Sequence, residues 1–522
     1  MRRHRRQPPL WVLPSCDRPW SFLHKAWRNT AASLTLAMSL GGCDTIPNYY
    51  NQPLAPGKSN PRVAITAPAH PADPIIVLAF SGGGSRAAAL GLSVLDELAR
   101  YSYTRPDGSS VRLIDQVRIV SSVSGGSVTA AWFGLVGPER MDELRDKFLT
   151  KDNMAALEWE AADPITWARL AFSSYTRMDA FTALLDERLF AGHSFADMTQ
   201  PGKPRILMNA TDMSSGEVFS FTPEHFDDIC SDLNALPISA GVASSAAFPV
   251  ALSPYNLKDY NAPSVGPCKG AIPKDEWIAK DLGASPLSDQ ATRYIDVEEF
   301  KRARYVNALR NGPQAYRAIS YLHLLDGGVA DNQGGHSIVE SLSPHSATQL
   351  LYELNSGVAS RIVVIAVNAR SDPDNTLSKK PNVPGVLDEL SAVVGIPIDA
   401  TTAYSNSSVQ LLVDELNTLH DQQAAAKRVD SAAPDPIRVY NVTVDFDQFH
   451  NDQAVLRDQL KAIGTSWNLS APDLAAVTKA GATLLQQHPC FQHLLQDLQV
   501  SASFVDPKFI GSACKLNGDP AN

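Results

Sequence analysis

The feature that most constrains this sequence is a series of short apolar runs, each closed by a turn rich in glycine or serine. Residues 75–80, Ile-Ile-Val-Leu-Ala-Phe, are apolar without alternation, and a glycine turn follows them. Leucine and valine then recur at helical spacing over 86–100. A strand that is apolar on both faces is typical of a parallel sheet covered by helices. The run therefore predicts a buried strand of an α/β fold.

The same order of strand, turn and helix recurs along the chain. Residues 115–123 predict a second strand, and 126–134 predict a second turn and helix. Further strands are expected at 205–210, 217–221, 319–325, 362–367 and 437–446. Strands that alternate with helices indicate a parallel or mixed sheet with helices on both faces.

Three regions depart from this alternation. Residues 151–200 are expected to be helical, and core packing of a covering helix pair is preferred there to a lid or membrane contact, because aromatic stripes at helical spacing are usually core. The large apolar side chains of that stretch are Trp159, Trp167, Leu170, Phe172, Tyr175 and Phe181. Residues 255–315 are irregular and charged and indicate an insertion. Residues 447–500 are expected to be helical, with Ser470 as an N-cap.

Composition and charge exclude several classes of protein. Of 522 residues, 44% are hydrophobic and 19% are charged, which excludes disordered, collagen-like and coiled-coil chains. The formal net charge of −10 argues against a nucleic-acid partner, which normally requires a basic surface. No window approaches 18 consecutive apolar residues, so no mature membrane-spanning helix is expected.

The first 42 residues differ from the rest of the chain. They are strongly basic and contain an apolar run over 31–40, and Leu40-Gly41-Gly42-Cys43 ends the segment. This order is typical of a secretory signal. Its ending resembles a bacterial lipobox, in which the cysteine carries lipid. We therefore expect removal of 1–42, lipidation of Cys43 and a periplasm-facing position in the bacterial cell envelope, with an ordinary signal peptide or a misassigned start as the alternative.

The residues after Cys43 predict a tether and then disulfides. Residues 43–70 include a proline- and asparagine-rich stretch and are assigned as a flexible tether. Four cysteines remain in the mature chain, and in an oxidising compartment an even number favours disulfides. Their spacing favours Cys230–Cys268 and Cys490–Cys514, while the other pairings and four free thiols stay open.

Three clusters of candidate functional residues each follow a predicted strand, at the edge where ligands bind in open α/β sheets. The first is Ser81-Gly82-Gly83-Gly84-Ser85-Arg86. Its backbone N–H groups suit a dinucleotide pyrophosphate or the oxyanion of an acyl-transfer intermediate. A dinucleotide site needs an acid at the end of a second strand, but Asp96 and Glu97 fall within the helical pattern. The oxyanion is preferred, and a nucleotide-dependent enzyme and a purely structural turn are the alternatives.

The second cluster is Ser122-Val123-Ser124-Gly125-Gly126, between a strand and a helix. A nucleophile elbow needs small residues two positions before and two after the nucleophile. Gly126 meets this requirement, and Ser122 is small although glycine is standard there. Ser124 is therefore the candidate nucleophile, and a serine-rich loop is the alternative.

The third cluster is Leu325-Asp326-Gly327-Gly328. Asp326 is a candidate general base for a serine hydroxyl, and a turn or N-cap residue is the simpler alternative. A Ser-His-Asp triad would need a histidine after the acid. His336, His345, His420, His450, His488 and His493 all follow Asp326, but none has a glycine-flanked context at a strand end.

Taken in order over 82–328, the glycine loop with its arginine, the serine elbow and Asp-Gly-Gly resemble the patatin-like phospholipase family. The segments 243–249, Ala-Ser-Ser-Ala-Ala-Phe-Pro, and 210–212, Ala-Thr-Asp, look like further parts of that family. The resemblance implies a three-layer α/β/α sandwich with a mixed central sheet over 71–446, followed by a helical extension over 447–522.

The resemblance also implies a Ser–Asp dyad without histidine. By position it makes Ser124 the nucleophile and Asp326 the base. The oxyanion donors would be Gly82, Gly83 and Gly84, and the supporting residues Arg86, Ser122, Gly126, Gly327 and Gly328. The resulting hypothesis is a serine acyl hydrolase of the lipase or phospholipase type that cleaves carboxylic esters of lipids.

The expected partners are a lipid ester substrate and, through the lipid anchor, a membrane surface. No metal or organic cofactor is implied, because no group of Cys, His and Asp has metal-ligand spacing. The alternative is a non-catalytic lipid-binding or envelope-scaffold protein on the same fold.

Overall fold

The structure, a computed structural model, describes residues 49–62, 68–249, 251–260, 320–342, 359–371, 416–433, 435–449 and 451–500, with scattered positions between 354 and 414 and Cys514. The chain divides into two units. The larger comprises Asn48–Ala161 and Thr176–Asn522, and the smaller comprises Met1–Pro47 and Ala162–Tyr175. The expected signal, Cys43 and most of the expected insertion lie outside the described residues.

Among the described residues, the larger unit contains a mixed sheet of eight strands. All described strands of this unit, including the two of a separate pair, are β1 (Pro74–Phe80), β2 (Ser102–Thr104), β3 (Ser110–Arg112), β4 (Val117–Val123), β5 (Arg205–Asp212), β6 (Val218–Ser220), β7 (Tyr255–Lys258), β8 (Tyr321–Asp326), β9 (Arg361–Asn368) and β10 (Arg438–Asp445). The order across the sheet is β10-β9-β1-β4-β5-β8-β7, with β6 also paired to β5 and with β2 and β3 forming a separate pair. Strands β10, β9, β1, β4 and β5 are parallel, whereas β8 is antiparallel to both of its neighbours, β5 and β7. The predicted mixed sheet is confirmed.

Helices follow most of the strands. They are α1 (Gly84–Leu98), α2 (Gly125–Val136), α3 (Asp142–Leu144), α4 (Asn153–Ala162), α5 (Pro164–Phe172), α6 (Arg177–Leu185), α7 (Pro223–Asp228), α8 (Ile238–Ser245), α9 (Gly335–Leu342), α10 (Ala454–Lys461), α11 (Ala471–Gln487) and α12 (Pro489–Asp497), and a further helix covers 416–429. Helix α5 belongs to the smaller unit. The predicted C-terminal helices are confirmed, and Ser470 caps α11 by accepting the N–H of Asp473.

Two hydrophobic cores lie on opposite faces of the sheet. The even-numbered residues of β1, from Ile76 to Phe80, enter one core together with α1, α2 and α11. The odd-numbered residues, from Ile75 to Ala79, enter the other core with Ile338 of α9 and the 416–429 helix. Because successive residues of a strand face opposite sides, a strand without polar residues needs cover on both. The predicted three-layer arrangement is confirmed.

Two strand assignments differ from the expectation. Strand β7 lies at the beginning of the stretch predicted as an irregular insertion, and it forms one edge of the sheet. Strands β2 and β3 pair as a hairpin that the sequence did not predict, since each has only three residues. Strands this short carry too little periodicity to be recognised.

Residues 49–62, assigned from the sequence to a flexible tether, are packed against the larger unit. Leu54 donates its N–H to the carbonyl of Cys230 at 2.9 Å. Arg62 forms an ion pair with the buried carboxylate of Asp227 at 2.7 Å. This part of the segment is therefore held by the domain rather than free.

Disulfides follow the pairing that spacing favours where the structure describes them. Cys490, in the first turn of α12, is bonded to Cys514, which confirms that pair. Cys230 is also disulfide-bonded, while Cys268 lies outside the described residues.

The aromatic residues of 151–200 have mixed surroundings. Phe181 of α6 is fully buried and packs on Trp467 with 4.8 Å between ring centroids. Trp159 is 78% exposed and Trp167 is 47% exposed. Core packing is therefore confirmed for Phe181 and wrong for these two tryptophans, while the side chains of Leu170 and Phe172 lie outside the described part. No helix that the structure describes is long and apolar enough to cross a bilayer.

Candidate active site

Ser124 stands at the turn between β4 and α2. Its backbone angles are φ 49° and ψ −119°, in a region where a residue with a Cβ is strained. Strain of this kind is typical of a nucleophile elbow, in which a tight turn raises the side chain above the end of the strand. The next residue must be glycine, because a Cβ at Gly125 would lie 2.0 Å from the carbonyl oxygen of Gly84.

Asp326 ends β8 and is 4% exposed. Its Oδ1 accepts the N–H of Gly328 at 2.8 Å. The Ser124 side chain lies close enough to lower the pKa of the carboxyl. Burial raises the pKa of Asp326 to about 6, and Gly328 and Ser124 offset only part of that rise. A carboxylate with such a pKa is a stronger base than an exposed one and is still ionised at neutral pH.

Sheet topology brings these two side chains together. Strand β5 lies between β4 and β8, and its Asn209 pairs with Val123 while its Ala210 pairs with Asp326. Ser124 follows Val123 directly, so both side chains stand at the same height on the carboxyl edge of the parallel strands. Gly327 is needed for this approach, because a Cβ there would lie 2.2 Å from the carbonyl oxygen of Asn209.

A network of buried serines supports the elbow from below. The Oγ of Ser245 accepts the N–H of Ser124 at 2.9 Å and donates to the carbonyl of Asn209 at 2.7 Å. Ser122 donates its hydroxyl to the carbonyl of Leu207 at 3.1 Å and accepts a hydrogen bond from Ser127 at 3.0 Å. Serine at position 122 therefore fits the elbow with its polar group paired. Ser245 lies in a segment that the sequence singled out without assigning it a role.

The glycine loop between β1 and α1 lies against Ser124. A Cβ at Gly82 would lie only 3.4 Å from that of Ser124. Gly82 donates its N–H to the carbonyl of Asn332 at 3.0 Å, so this amide is engaged and, contrary to expectation, is not available to an oxyanion. Gly83 and Gly84 have φ of 135° and 61°, and no acceptor within the described part of the chain takes their N–H groups. These two remain the candidate donors.

Arg86 is buried in the first turn of α1, with 2% of its side chain exposed. Its Nε donates to the carbonyl of Ala369 at 2.8 Å, and its Nη1 donates to the carbonyl of Ile463. Burial lowers the pKa of Arg86 to about 10, which leaves the guanidinium charged at neutral pH. No carboxylate among the described residues pairs with it, so the carbonyl oxygens compensate the buried charge. These are the contacts of a supporting residue.

The C-terminal loop, residues 463–467, completes the glycine loop from far along the chain. The carbonyl of Ser466 accepts the N–H of Ser85 at 2.8 Å. A Cβ at Gly84 would lie 2.3 Å from the same oxygen. Asn153 donates from Nδ2 to the carbonyl of Trp467 at 2.9 Å, which fixes the end of the loop. Sequence reasoning missed this contribution, because backbone carbonyls leave no signature in side-chain patterns.

Asn332 is a second site residue that sequence reasoning missed. Its carbonyl holds the Gly82 amide, and its Oδ1 lies 2.5 Å from where a Cβ of Gly82 would stand and 2.8 Å from where one of Gly328 would stand. The Asn332 side chain therefore fills the space between the glycine loop and the Asp326 turn. A lone asparagine in a polar turn gives no signal that separates this role from an ordinary loop residue.

The described histidines do not form a triad. Neither Ser124 nor Asp326 contacts a histidine within the described ranges, and His345 and His450 lie outside them. His420 bonds the carbonyl of Ile437 at 2.6 Å, and His488 caps α12. In the part of the chain that the structure describes, no group of three His, Cys, Asp or Glu side chains is placed to hold a metal ion.

A comparison of the sequence with family models identifies the domain that carries this site. Residues 78–333, about half of the chain, match the model described as patatin-like phospholipase. The chain carries a patatin-like phospholipase domain. The matched range begins within β1 and ends one residue after Asn332, so it includes Ser124 and Asp326 but excludes β9, β10 and the C-terminal loop. No curated protein matches the sequence.

Several solved structures are similar to the patatin-like protein at low identity. Human GIVD cytosolic phospholipase A2 is 11% identical with a TM-score of 0.38, over 82% of this chain and 62% of that chain. VipD from Legionella pneumophila is 10% identical with a TM-score of 0.25, over 88% and 72%. A chain of the SpcU–ExoU complex from Pseudomonas aeruginosa is 13% identical with a TM-score of 0.21, over 87% and 97%. This chain thus spans less than two thirds of the human enzyme.

Proposed function

We propose that the protein is a serine acyl hydrolase that cleaves carboxylic esters of lipids through Ser124 and Asp326. One observation carries the proposal: a serine on a strained elbow stands at the same height of the sheet as a buried carboxylate whose pKa is raised to about 6. The patatin-like phospholipase domain around both residues supports a lipid substrate.

In the proposed mechanism, Asp326 accepts the proton of the Ser124 hydroxyl as Oγ attacks the ester carbonyl. The tetrahedral intermediate collapses to an acyl-enzyme, and the alcohol leaves with the proton held by Asp326. Asp326 then accepts a proton from water, whose oxygen attacks the acyl-enzyme. Ser124 recovers its proton as the fatty acid leaves. The register of β4, β5 and β8 supports this step, because it brings Ser124 and Asp326 to the same height of the sheet.

Gly83 and Gly84 supply the oxyanion donors in this proposal. Their N–H groups stand beside the elbow at the N-terminus of α1, where amides and the helix dipole favour negative charge. The hydrogen bond from Gly82 to the carbonyl of Asn332 fixes one end of the loop. Arg86 supports the loop through its hydrogen bonds to the carbonyls of Ala369 and Ile463. No step of the proposed mechanism uses a metal ion or an organic cofactor.

The proposal extends to the position of the enzyme in the cell. The sequence before Cys43 has the features of a lipoprotein signal, so we place lipid on Cys43 and the enzyme on the periplasmic side of a bacterial membrane. Mass spectrometry of the N-terminal peptide from the mature protein tests this. A peptide that begins upstream of Cys43, or that carries no lipid, would contradict it.

Fluorophosphonate labelling tests the catalytic dyad. Wild-type protein should be labelled, and Ser124→Ala and Asp326→Asn should lose labelling while their circular dichroism is unchanged. Ser121→Ala is the matched control, because Ser121 is a buried serine of the same strand whose hydroxyl bonds the carbonyl of Gly334. Folded wild-type protein that remains unlabelled would sink the proposal and favour a lipid-binding protein on this fold.

A further inference from the structure

The N-terminal segment covers one edge of the sheet. Asn51 pairs with the main chain of Lys258 in β7: its Oδ1 accepts the N–H at 2.8 Å, and its Nδ2 donates to the carbonyl at 2.8 Å. Tyr50 stacks on Tyr255 of the same strand with 4.6 Å between ring centroids. An uncovered edge strand offers unpaired backbone groups to other chains, so this contact has a stabilising role of its own. It also fixes where the chain emerges from the domain.

Beside this edge the structure gathers aromatic rings around one cation. The Nζ of Lys258 lies 4.7 Å from the ring centroid of Tyr49 and 5.2 Å from that of Tyr260. The ring of Tyr321, which is 39% exposed, lies 5.9 Å from the ring of Tyr49 between centroids. We call these four residues the tyrosine–lysine cluster. Lys258 Nζ also donates to the Tyr49 hydroxyl at 3.4 Å. Within the described residues no carboxylate pairs with Lys258, so tyrosine rings and this hydroxyl compensate its charge.

The tyrosine–lysine cluster lies beyond the carboxyl ends of the parallel strands, on the same side of the domain as the catalytic dyad. Strand β8 runs antiparallel to β5, with Asp326 opposite Ala210 and Leu324 opposite Asp212, the last residue of β5. Tyr321 therefore projects beyond the carboxyl end of β5, five residues or about 17 Å along the strand from Asp326. Met213 follows β5 at this edge, is 59% exposed and donates its N–H to the carbonyl of His323 at 2.8 Å.

The distance to the proposed lipid anchor is short. Five residues, 44–48, separate Cys43 from Tyr49. Even a fully extended chain of this length spans only about 20 Å. The lipid on Cys43 would therefore lie within about 20 Å of the tyrosine–lysine cluster. Strand β10, on the far side of the sheet from β7, is therefore not the part of the domain nearest to this lipid.

We propose that the tyrosine–lysine cluster rests on the phospholipid bilayer that holds the Cys43 lipid, so that the carboxyl edge with Ser124 faces the bilayer surface. Tyrosine rings suit the interface between headgroups and acyl chains, and a lysine that no described carboxylate neutralises attracts anionic headgroups. This inference rests on the proposed function and on the proposed lipidation of Cys43. The domain would then meet its substrate without leaving the membrane.

Depth-dependent quenching tests the orientation. The full-length lipidated protein, carrying Ser124→Ala so that the vesicles stay intact, is placed in vesicles of phosphatidylglycerol and phosphatidylcholine with brominated acyl chains. A fluorescent amino acid replaces Tyr321 or, as control, Val429, which is 91% exposed in the helix that precedes β10 at the opposite edge. We expect strong quenching at 321 and little at 429. Equal quenching, or stronger quenching at 429, would overturn the proposal.

A charge substitution sharpens the result. Lys258→Gln should slow hydrolysis of phosphatidylglycerol vesicles about fivefold, the size of one basic residue's attraction to an anionic surface, and leave hydrolysis of a water-soluble short-chain ester unchanged. Lys427→Gln, which removes a lysine beside the carbonyl of Ala433 before β10, should change neither rate. Equal losses on both substrates would assign Lys258 a purely structural role and overturn the proposal. Quenching needs no turnover, so it decides the orientation even if the enzyme proved inactive.

Discussion

The patatin-like domain and the segments outside it contribute to one edge of the sheet in different ways. Within 78–333, the contributions are reactive or shaping side chains at strand ends, Ser124 after β4 and Asp326 at the end of β8. Outside that range they are backbone carbonyls: Ala369 and Ile463 hold Arg86, and Ser466 holds the N–H of Ser85. Arg86 and Ile463 are 377 residues apart in the sequence.

This difference separates the chemistry of the site from its support. The reactive groups are encoded in short motifs that any chain of this family can carry. The glycine loop beside them is bonded to a C-terminal loop that the family match does not include. We therefore expect substitutions of Ser124 and Asp326 to abolish turnover, and substitutions at the contacts with outside segments to loosen the site and the fold together.

The largest effect is expected for Asp326→Asn. Activity should fall about 10⁴-fold, because the amide cannot accept the serine proton. The same substitution should stabilise the protein at pH 8 by up to about 3 kcal/mol, because the folded-state pKa of about 6 lies above the ordinary value and ionisation of the buried acid therefore costs stability. That gain should vanish near pH 4, where the wild-type carboxyl is protonated.

Urea unfolding at pH 8 and pH 4, together with an ester assay, checks this pair of effects. Asp212→Asn is the control, since Asp212 is another buried carboxylate at a strand end and bonds Ser214 and Ser215 rather than the dyad. An active Asp326→Asn variant would rule out the dyad. An unchanged stability at pH 8 would show that burial of the charge is not costly.

Arg86→Met removes the hydrogen bonds that join the patatin-like domain to Ala369 and Ile463 outside it. It leaves the carbonyls of Ala369 and Ile463 without their donor, so we expect a loss of about 2–4 kcal/mol in the free energy of unfolding. The loosened glycine loop should lower kcat about 10²-fold. Arg438→Met, which removes a surface pair with Asp497, should do neither. Full activity in Arg86→Met would show that the C-terminal loop does not position the glycine loop.

The pH profile sharpens the assignment of the base. Because Asp326 must be ionised to accept a proton, kcat/KM should fall about tenfold per pH unit below its pKa of about 6 and stay level above it. The measurement uses an ester without titratable groups. A rate that stays level down to pH 5 would contradict the raised pKa.

Asn332→Ala tests the contact between the glycine loop and the Asp326 turn. The main-chain bond to Gly82 remains in this variant, so only the side chain that separates the two loops is lost. We expect roughly tenfold lower kcat with little change in KM, because the donors and the base shift relative to each other. Asn234→Ala, in a loop away from the dyad, is the control. A fall in KM alone would argue against a positioning role.

The smallest effect on turnover is expected for Asn51→Ala. Its side chain makes two hydrogen bonds with Lys258 and one with Ser231, so their loss should cost about 2 kcal/mol of stability. Hydrolysis of a soluble ester should be unchanged, since the dyad is untouched. Gln52→Ala, whose side chain is exposed, provides the matched control in thermal unfolding. Loss of soluble-ester activity would mean that the covered edge also shapes the site.

The sequence predicted those strands, turns and caps whose tertiary role is visible in a local pattern of residue types. The apolar run of β1 needed cover on both faces and received it, and the small residues around Ser124 and Asp326 are those that close approach demands. Ser470 capped its helix as its position indicated. In each case the residue type is decided by neighbours within a few positions of the chain.

The remaining features depend on contacts that the sequence does not announce. The Gly82 amide was expected to face an oxyanion, but the carbonyl of Asn332, 250 positions later, takes it. The segment 49–62 has the composition of a tether, yet asparagine side chains can replace a missing strand neighbour, as Asn51 does for β7. The exposed Trp159 and Trp167 follow helical spacing as faithfully as core residues do, so periodicity alone cannot separate them.

The position of β1 between β4 and β9 has a consequence for how the protein is made. During synthesis, β1 can pair with its second neighbour only after β9 has been made. The carbonyls that Arg86 binds belong to Ala369, 283 residues later, and to Ile463, which is later still. Pairings this distant in the chain form slowly and late. A nascent chain would thus carry its serine and aspartate long before it could use them. The proposed dyad would become competent only after Ile463 had been synthesised.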